Sequence, residues 1–301
     1  MKQGVEEMGL DKFRSGYVSI VGKTNVGKST LLNQLLGFKL SIVTPKPQTT
    51  RKRVIGILNG EGYQILFIDT PGIIEPRYAL QEIMMNYVKT AMEDADIILY
   101  MIDVTRKDSF DELGGRLKPL HKPVILLLNK VDLVKKETLL PMIEEYNRAY
   151  PFEAIIPISA LKGDGIERVI NEIIRLLPYG HPYYPSDYIT SEEERFFVSE
   201  IIREKVFLNY LEEIPYSSHV EIDEFKEREK GKDYIRAIIY VERESQKGIL
   251  IGKGGEALKK IGEEARQEIE TLLGRPVFLE LFVKVKKDWR KKGQRLKEFG
   301  Y

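Results

Sequence analysis

The chain has no cysteine in its 301 residues, which excludes disulfides and thiolate metal sites. No run of eighteen apolar residues occurs, so no membrane-spanning helix is expected. The opening stretch MKQGVEEMGLDKFRSG has no long apolar core, and a cleaved secretory signal is not expected there. An excess of charge of either sign is missing overall, since 47 basic residues face 46 acidic ones and the formal net charge is +1. The imbalance is local instead. Residues 283–297, VKVKKDWRKKGQRLK, carry eight basic residues and one acidic, while Ser191 to Glu194 is acidic. A basic patch on a near-neutral chain reads either as a polyanion-facing surface or as a solvated helical face. The length suits about two domains, and a hydrophobic fraction of 43% supports ordinary cores.

What is present is concentrated in Gly22-Lys23-Thr24-Asn25-Val26-Gly27-Lys28-Ser29, with Thr30 directly after it. This fits G-x-x-x-x-G-K-[ST], the phosphate-binding loop. The preceding Tyr17-Val18-Ser19-Ile20-Val21 reads as a strand, and the following Thr30 to Leu36 as a helix. That context gives the motif its meaning, because loop N–H groups and a helix N-terminus together cradle phosphates. In this setting Lys28 reaches the β- and γ-phosphates, and Ser29 holds Mg²⁺.

Residues up to about 178 alternate between strands and helices. Ile55 to Leu58 and Gln64 to Ile68 read as neighbours around an Asn59-Gly60-Glu61-Gly62 turn. Ile97 to Ile102 and Val124 to Leu128 are nearly all apolar, as in a parallel sheet covered on both faces. Ala154 to Ile158 contains Pro157, which favours an edge. A helix with apolar positions at Ile166, Val169, Ile170, Ile173 and Ile174 follows. The proline-rich stretch from Pro178 to Pro185 reads as a semi-rigid linker. Ser191 with Glu194 reads as a capping box opening a helix. Strands at His219–Phe225 and Tyr234–Val241, a helix at about Glu256–Leu273 and a strand at Val277–Val285 complete an α-β-β-α-α-β order.

Further tetrads stand at strand ends. Asp69-Thr70-Pro71-Gly72 places a carboxylate where it can hold a Mg²⁺-bound water, and Gly72 offers an N–H to a terminal phosphate. Asn129-Lys130-Val131-Asp132 ends the next strand but one. A carboxylate at Asp132 accepts from guanine N1–H and its exocyclic amine, whereas adenine presents an acceptor at the corresponding nitrogen. The Lys130 stem can cover the ring, and Asn129 can brace the loop. Ser159, Ala160 and Leu161 follow the last strand, where a backbone N–H can meet guanine O6. Residues 39–50 are polar, proline-broken and long for a simple connection, as a ligand-ordered switch should be.

The set GKTNVGKS, PQTTR, DTPG, NKVD and SAL resembles the translation-factor-related class of small bacterial GTPases. With the C-terminal half, essentially the whole chain resembles the Era family of ribosome-assembly GTPases. The resemblance implies that Thr50 is the switch threonine at the metal, alongside Ser29 and Asp69. It implies catalytic positions at Lys28, Thr50, Gly72 and Asn25, the last near a monovalent cation such as K⁺. Ile73 stands where Ras-like enzymes carry a water-orienting glutamine, so a slow intrinsic hydrolysis of GTP to GDP is expected. No side chain is a convincing general base.

The stretch Ile249-Leu250-Ile251-Gly252-Lys253-Gly254-Gly255 fits G-x-x-G, a loop that clamps single-stranded nucleic acid. The element order and the resemblance together imply a type II KH domain. Ile249 and Ile251 offer an apolar floor or serve as core. Lys284, Lys286, Lys287 and Arg290 offer phosphate contacts, and Trp289 either stacks on a base or packs inside. The expected class is therefore α/β: a P-loop GTPase domain with a mostly parallel sheet at 1–180, a linker at 181–190, and a smaller α+β KH domain at 191–301. The resemblance implies a monomer that binds the 3′ end of 16S rRNA and assists 30S subunit maturation in the cytoplasm. The alternative is a regulatory GTPase linked to the cell cycle at an anionic membrane surface, on the inner face of the cell membrane. A vestigial nucleotide fold is argued against by intact Lys28, Ser29, Asp69 and Asp132.

Overall fold

The computed structural model describes residues 12–106 and 117–301. Most of the opening stretch judged for a secretory signal lies outside them. Among the described residues no helix is long and apolar enough to cross a membrane. The chain forms two compact units. The first comprises residues through Ser41, Thr50–Glu75 and Met84–Ser191; the second comprises Ile42–Thr49, Pro76–Ile83 and Glu192–Tyr301.

The first unit is built on a six-stranded sheet in the order β2-β3-β1-β4-β5-β6. The strands are β1 (Arg14–Val21), β2 (Val54–Gly60), β3 (Tyr63–Asp69), β4 (Ile97–Asp103), β5 (Val124–Asn129) and β6 (Ala154–Ile158). Only β2 runs antiparallel, paired with β3 through the expected hairpin; the other neighbours are parallel. Every residue of β4 and β5 is buried, which is why these segments lack the alternation of a half-exposed strand. Pro157 lies on β6, the edge. The helices include α1 (Lys28–Leu36), α2 (Ala79–Asp94), α3 (Leu139–Ala149) and α4 (Ile166–Leu176). In α4 only Val169 and Ile173 are fully inside, the centre of its apolar stripe.

Register places the chemistry on one sheet edge. Ile20 stands beside Asp69, and Asp103 beside Asn129, which stands beside Ile158. The carboxyl ends of β1, β3, β4, β5 and β6 therefore converge, where parallel α/β sheets form their ligand crevices.

The expected semi-rigid linker is laced onto this sheet. Gln64 donates to the Tyr184 carbonyl at 2.8 Å and accepts from the Tyr183 and Tyr184 amides at 2.7 and 3.0 Å. Asn59 donates to the Tyr188 carbonyl at 2.9 Å, and Thr190 to the Ile55 carbonyl at 2.7 Å. Prolines restrict the segment, and these side chains satisfy its backbone groups. The first unit accordingly ends at Ser191.

The second unit contains α5 (Glu194–Asn209), α6 (Ile214–Ser217), β7 (His219–Lys226), β8 (Asp233–Val241), α7 (Glu244–Ile251), α8 (Glu256–Leu273), β9 (Val277–Val285) and α9 (Gly293–Glu298). Its sheet order is β7-β8-β9, with β7 antiparallel and β9 parallel to β8. Ile202, Val206, Ile235, Ile239, Leu250, Ile261 and Ile269 are sealed in its core. The capping box at Ser191 does not form: α5 starts at Glu194 with Glu193 as N-cap and no side-chain cap. Glu194 instead pairs with Arg275 at 2.7 Å, a partner far along the chain that local spacing does not reveal.

Candidate functional site: a phosphate loop with a base-recognition loop, and a G-x-x-G loop

The phosphate loop connects β1 to α1. Gly22 and Gly27 are there for space. A Cβ on Gly22 would lie 2.3 Å from the Met101 carbonyl oxygen, and one on Gly27, at φ 105°, would lie 2.3 Å from Asn129 Nδ2. Asn25 also takes a left-handed conformation, at φ 62°. Thr24 packs against Gly72, and the Ile73 amide donates to the Gly22 carbonyl at 3.0 Å. The DTPG turn is thus seated directly on the loop.

Lys28 is buried and donates to the Gly22 and Lys23 carbonyls at 3.1 and 2.9 Å. Burial lowers its pKa to about 8, with Asp69 opposing the shift. Asp69 is fully buried at the end of β3. Burial raises its pKa, while Lys28 and the hydroxyls of Ser29 and Thr50 act against the rise. Ser29 Oγ lies 2.9 Å from Asp69 Oδ2 and 3.0 Å from Thr50 Oγ1, and Thr50 Oγ1 lies 3.3 Å from Asp69 Oδ2. Asp69 Oδ1 is buried without a hydrogen-bond partner. Three oxygen donors and an orphaned carboxylate oxygen form a set that suits a hard divalent cation.

A second cluster is organised by Asn129. Its Nδ2 donates to the Val26 carbonyl at 2.6 Å, and its Oδ1 accepts the Ala160 amide at 2.9 Å. One side chain therefore ties the phosphate loop, the NKVD turn and the SAL loop together. Ser159 and Ala160 are buried, whereas Leu161 is exposed. Asp132 is nearly covered and lies 3.8 Å from Lys162 Nζ. Thr30 sits partly buried in the first turn of α1. The predicted residues from 22 to 30, 69 to 72, 129 to 132 and 159 to 161 all gather at this one edge.

Sequence reasoning missed Asp103. Its Oδ2 accepts from Lys130 Nζ at 2.6 Å, and its Oδ1 from the Thr105 amide and hydroxyl at 3.0 and 2.6 Å. Burial pushes the Asp103 pKa up, but the Lys130 and Thr105 hydrogen bonds outweigh it and leave the pKa lowered. The available signal was an aspartate closing an otherwise apolar strand, where a charge needs a partner.

In the second unit, Gly252, Gly254 and Gly255 all have positive φ, at 73°, 60° and 83°. A Cβ on Gly252 would lie 2.6 Å from that of Ala257, while Gly254 and Gly255 face open space. Lys253 is exposed at the loop tip. A groove of about 410 Å³ beside the loop is lined by Gly255, Leu258, Lys259, Gly262, Leu279 and Leu281. Ile249 is exposed, while Ile251 is half-buried against the core.

The basic tail is folded, which decides between the two roles open to Trp289 and pairs two of the four expected phosphate-binding cations with carboxylates. Trp289 is fully buried and donates from Nε1 to the Ser217 carbonyl at 2.8 Å, so it is core rather than a stacking platform. Lys286 pairs with Glu298, and Arg290 with Glu242 at 2.5 Å. Lys284 is exposed between the core residues Val283 and Val285, hence on the sheet face away from the helices. Lys287 is exposed.

Known proteins match both halves. A family model described as 50S ribosome-binding GTPase matches residues 17–130, and one described as KH domain matches residues 213–290. GTPase Era of Geotalea daltonii is 50% identical over 292 residues, covering 96% of this chain and 98% of that protein. GTPase Era of Ruminiclostridium cellulolyticum is 45% identical over 291 residues, covering 96% and 98%. A variant of Aquifex aeolicus Era solved with GDP·AlF₄⁻ is 46% identical, with a TM-score of 0.92 and 96% and 99% coverage. The same identity, TM-score and coverage hold for Era solved with MgGDPNP and nucleotides 1506–1542 of 16S ribosomal RNA. A phosphate loop braced by Asn129, a G-x-x-G loop in a KH unit, and near-half identity along the full length place this chain in the Era family of GTPases.

Proposed function

We propose that this chain is a guanine-nucleotide switch that hydrolyses GTP slowly, binds the 3′-end region of 16S rRNA, and assists maturation of the 30S subunit. The observation that carries it is Asn129 joining Val26 and Ala160, which aligns the phosphate loop with the base loop of Asp132. Likeness to the Era complex with MgGDPNP and 16S rRNA nucleotides supports the RNA partner.

In this reading the amides of residues 23–30 receive the phosphates, and Lys28 turns from the loop carbonyls to the terminal phosphates. Ser29, Thr50 and Asp69 hold Mg²⁺, which supplies charge neutralisation at the phosphates when bound. Asp132 selects guanine, the Lys130 stem covers the ring, and Ala160 and Leu161 lie beside the base edge. Ile73 packs against the core of the first unit and offers no hydrogen bond to water. Asp69 would be spent on the metal beside Ser29 and Thr50, so it is not the base. Catalysis rests on positioning by Lys28, Thr50 and the Gly72 turn, which makes it slow without assistance. Asn25 as a K⁺ position is carried by family likeness alone.

The RNA strand lies along the Gly252–Gly255 loop, with Ile249 exposed beneath it and the leucine-lined groove beyond. Lys253, Lys284 and Lys287 are exposed cations, while Lys286 and Arg290 spend charge on carboxylates. The membrane-surface alternative drew on that same tail and loses weight for the same reason.

The test measures GDP affinity and retention of a ribosomal 3′-end oligoribonucleotide by the wild type, Asp132→Ala and Gly254→Asp. The reading expects Asp132→Ala to lose GDP and keep RNA, and Gly254→Asp to do the reverse. Unchanged affinities in either variant refute the corresponding assignment.

A further inference from the structure

Within the first unit, two buried oxygens stand without a hydrogen-bond partner among the described residues: Asp69 Oδ1 and the hydroxyl of Ser41. Ser41 is only 6% exposed. Burial raises the Asp69 pKa, and Lys28 and three hydroxyls oppose the rise, those of Ser29, Ser41 and Thr50. Ser29 and Thr50 both face Oδ2. Ser41 is left for Oδ1. An ionised carboxylate oxygen only accepts, whereas a hydroxyl can turn to donate, so the two orphans are complementary.

The backbone at Ser41 is fixed by one side chain. Asn33 Oδ1 accepts the Leu40 and Ser41 amides, each at 2.9 Å, and Asn33 Nδ2 donates to the Ser41 carbonyl at 2.8 Å. Asn33 follows Ser29 by four residues on α1, so the clamp and the Ser29 hydroxyl leave the helix on one face. Leu40 adds an apolar anchor. It is buried, and a Cβ on Gly56 would lie 2.8 Å from its Cδ2, so the bare glycine of β2 makes room for it. The Leu40-Ser41 dipeptide is thus held between α1 and β2, and its hydroxyl is presented to the end of β3.

We infer that Ser41, clamped by Asn33, is a positioning residue for the Asp69 carboxylate: its hydroxyl donates to Oδ1 and so keeps Oδ2 turned toward Ser29 and Thr50. The inference rests on the reading of Asp69 as a metal-site carboxylate. It adds the residue that fixes the plane of that carboxylate from its far side. Carboxylates at metal sites are themselves held by hydrogen bonds, and losing such a partner costs about 10- to 100-fold in metal affinity or activity.

The experiment compares wild type, Ser41→Ala, Ser41→Thr, Asn33→Ala and Asp69→Ala. Three quantities are read: affinity for a fluorescent, non-hydrolysable GTP analogue in EDTA and across a MgCl₂ series, GTP turnover over the same series, and amide exchange at Leu40 and Ser41 without nucleotide. Ser41→Ala should raise the Mg²⁺ midpoint of binding and of turnover by about tenfold. Its affinity in EDTA stays within about twofold of wild type, because the phosphate loop and base loop are untouched, and its exchange is unchanged. Ser41→Thr keeps the hydroxyl and a midpoint near wild type. Asn33→Ala raises the midpoint as well and accelerates exchange, since both amides lose their acceptor. If Asp69→Ala keeps the wild-type midpoint, the reading of Asp69 fails. If Asp69→Ala shifts the midpoint or abolishes turnover while Ser41→Ala behaves as wild type, the positioning inference is overturned. Equal shifts in Ser41→Ala and Ser41→Thr overturn it too, because the hydroxyl is then not the cause. A loss of affinity in EDTA as large as the midpoint shift overturns it as general destabilisation. Should Ser41→Ala not fold, the midpoint of Asn33→Ala decides.

Discussion

Asp103 Oδ2 stands 2.6 Å from Lys130 Nζ, at the point where β4 and β5 end side by side. Lys130 has a left-handed backbone, φ 68°, and its ammonium is held by the carboxylate at the end of β4. The carboxylate anchors the ammonium, and in the proposed reading the apolar stem then covers the base.

Asp103→Asn should therefore weaken GDP by about five- to tenfold, mostly as faster release, since a hydrogen bond to a charged group is lost. Combined with Lys130→Ala it should cost little more, because both act through one interaction. Additive losses in fluorescent-GDP release would refute the tether. The pair also has a pH signature. The folded pKa of Asp103 is lowered, so its stabilisation is complete above the ordinary carboxylate value and is lost as pH falls through the lowered one. Wild type should lose part of its acid-limb stability that Asp103→Asn never had.

Lys28 predicts a different pH dependence. Burial depresses its pKa to about 8 from 10.5. A bound polyphosphate restores the charged form, so nucleotide binding must take up a proton once the free lysine has lost its own. Affinity should fall by up to about tenfold per unit above the depressed value, by linkage. Titration calorimetry at alkaline pH in two buffers of unlike ionisation heat should show this proton uptake, and near neutrality it should vanish. Buffer-independent heats on the alkaline side would mean that Lys28 is charged in the free protein.

These two residues mark what sequence can and cannot carry. Lys28 was legible because its role is written in local spacing: glycines, a strand before and a helix after. Asp132 and Ser29 were legible for the same reason, as were α8 and β9, whose periodicities are strong. Asp103 was not, because its partner lies on another strand and no spacing joins them. The stretch after Pro178 looked like a linker because prolines and tyrosines read alike whether loose or laced; the deciding side chain was Gln64, more than a hundred residues away. The cationic tail looked accessible because one-dimensional charge omits Glu242 and Glu298, which neutralise Arg290 and Lys286.

Trp289 separates a core role from an RNA role. It is sealed against Phe299 and bonded to the Ser217 carbonyl. Trp289→Phe should lower the melting temperature through the lost N–H bond and a void, about 1–3 kcal/mol. RNA affinity and its salt slope should stay at wild-type values wherever the unit is folded. A variant that melts normally but loses RNA would restore Trp289 as a base-stacking residue.

Gly72 tests how closely the DTPG turn must sit on the phosphate loop. A Cβ there would lie 2.5 Å from Thr24 Cγ2, and also 2.7 and 2.8 Å from the Thr24 Cα and amide nitrogen. The last two atoms are backbone, and they belong to the loop that receives phosphates. Overpacking of this kind costs about 1–3 kcal/mol. The displacement falls on the catalytic geometry, so single-turnover GTP hydrolysis in Gly72→Ala should drop by about tenfold or more. Adding Thr24→Ser removes the methyl contact but neither backbone contact, so it should recover little of the rate. Full recovery in the double variant would show that only a flexible side chain stood in the way, and that the turn tolerates a methyl group against the loop.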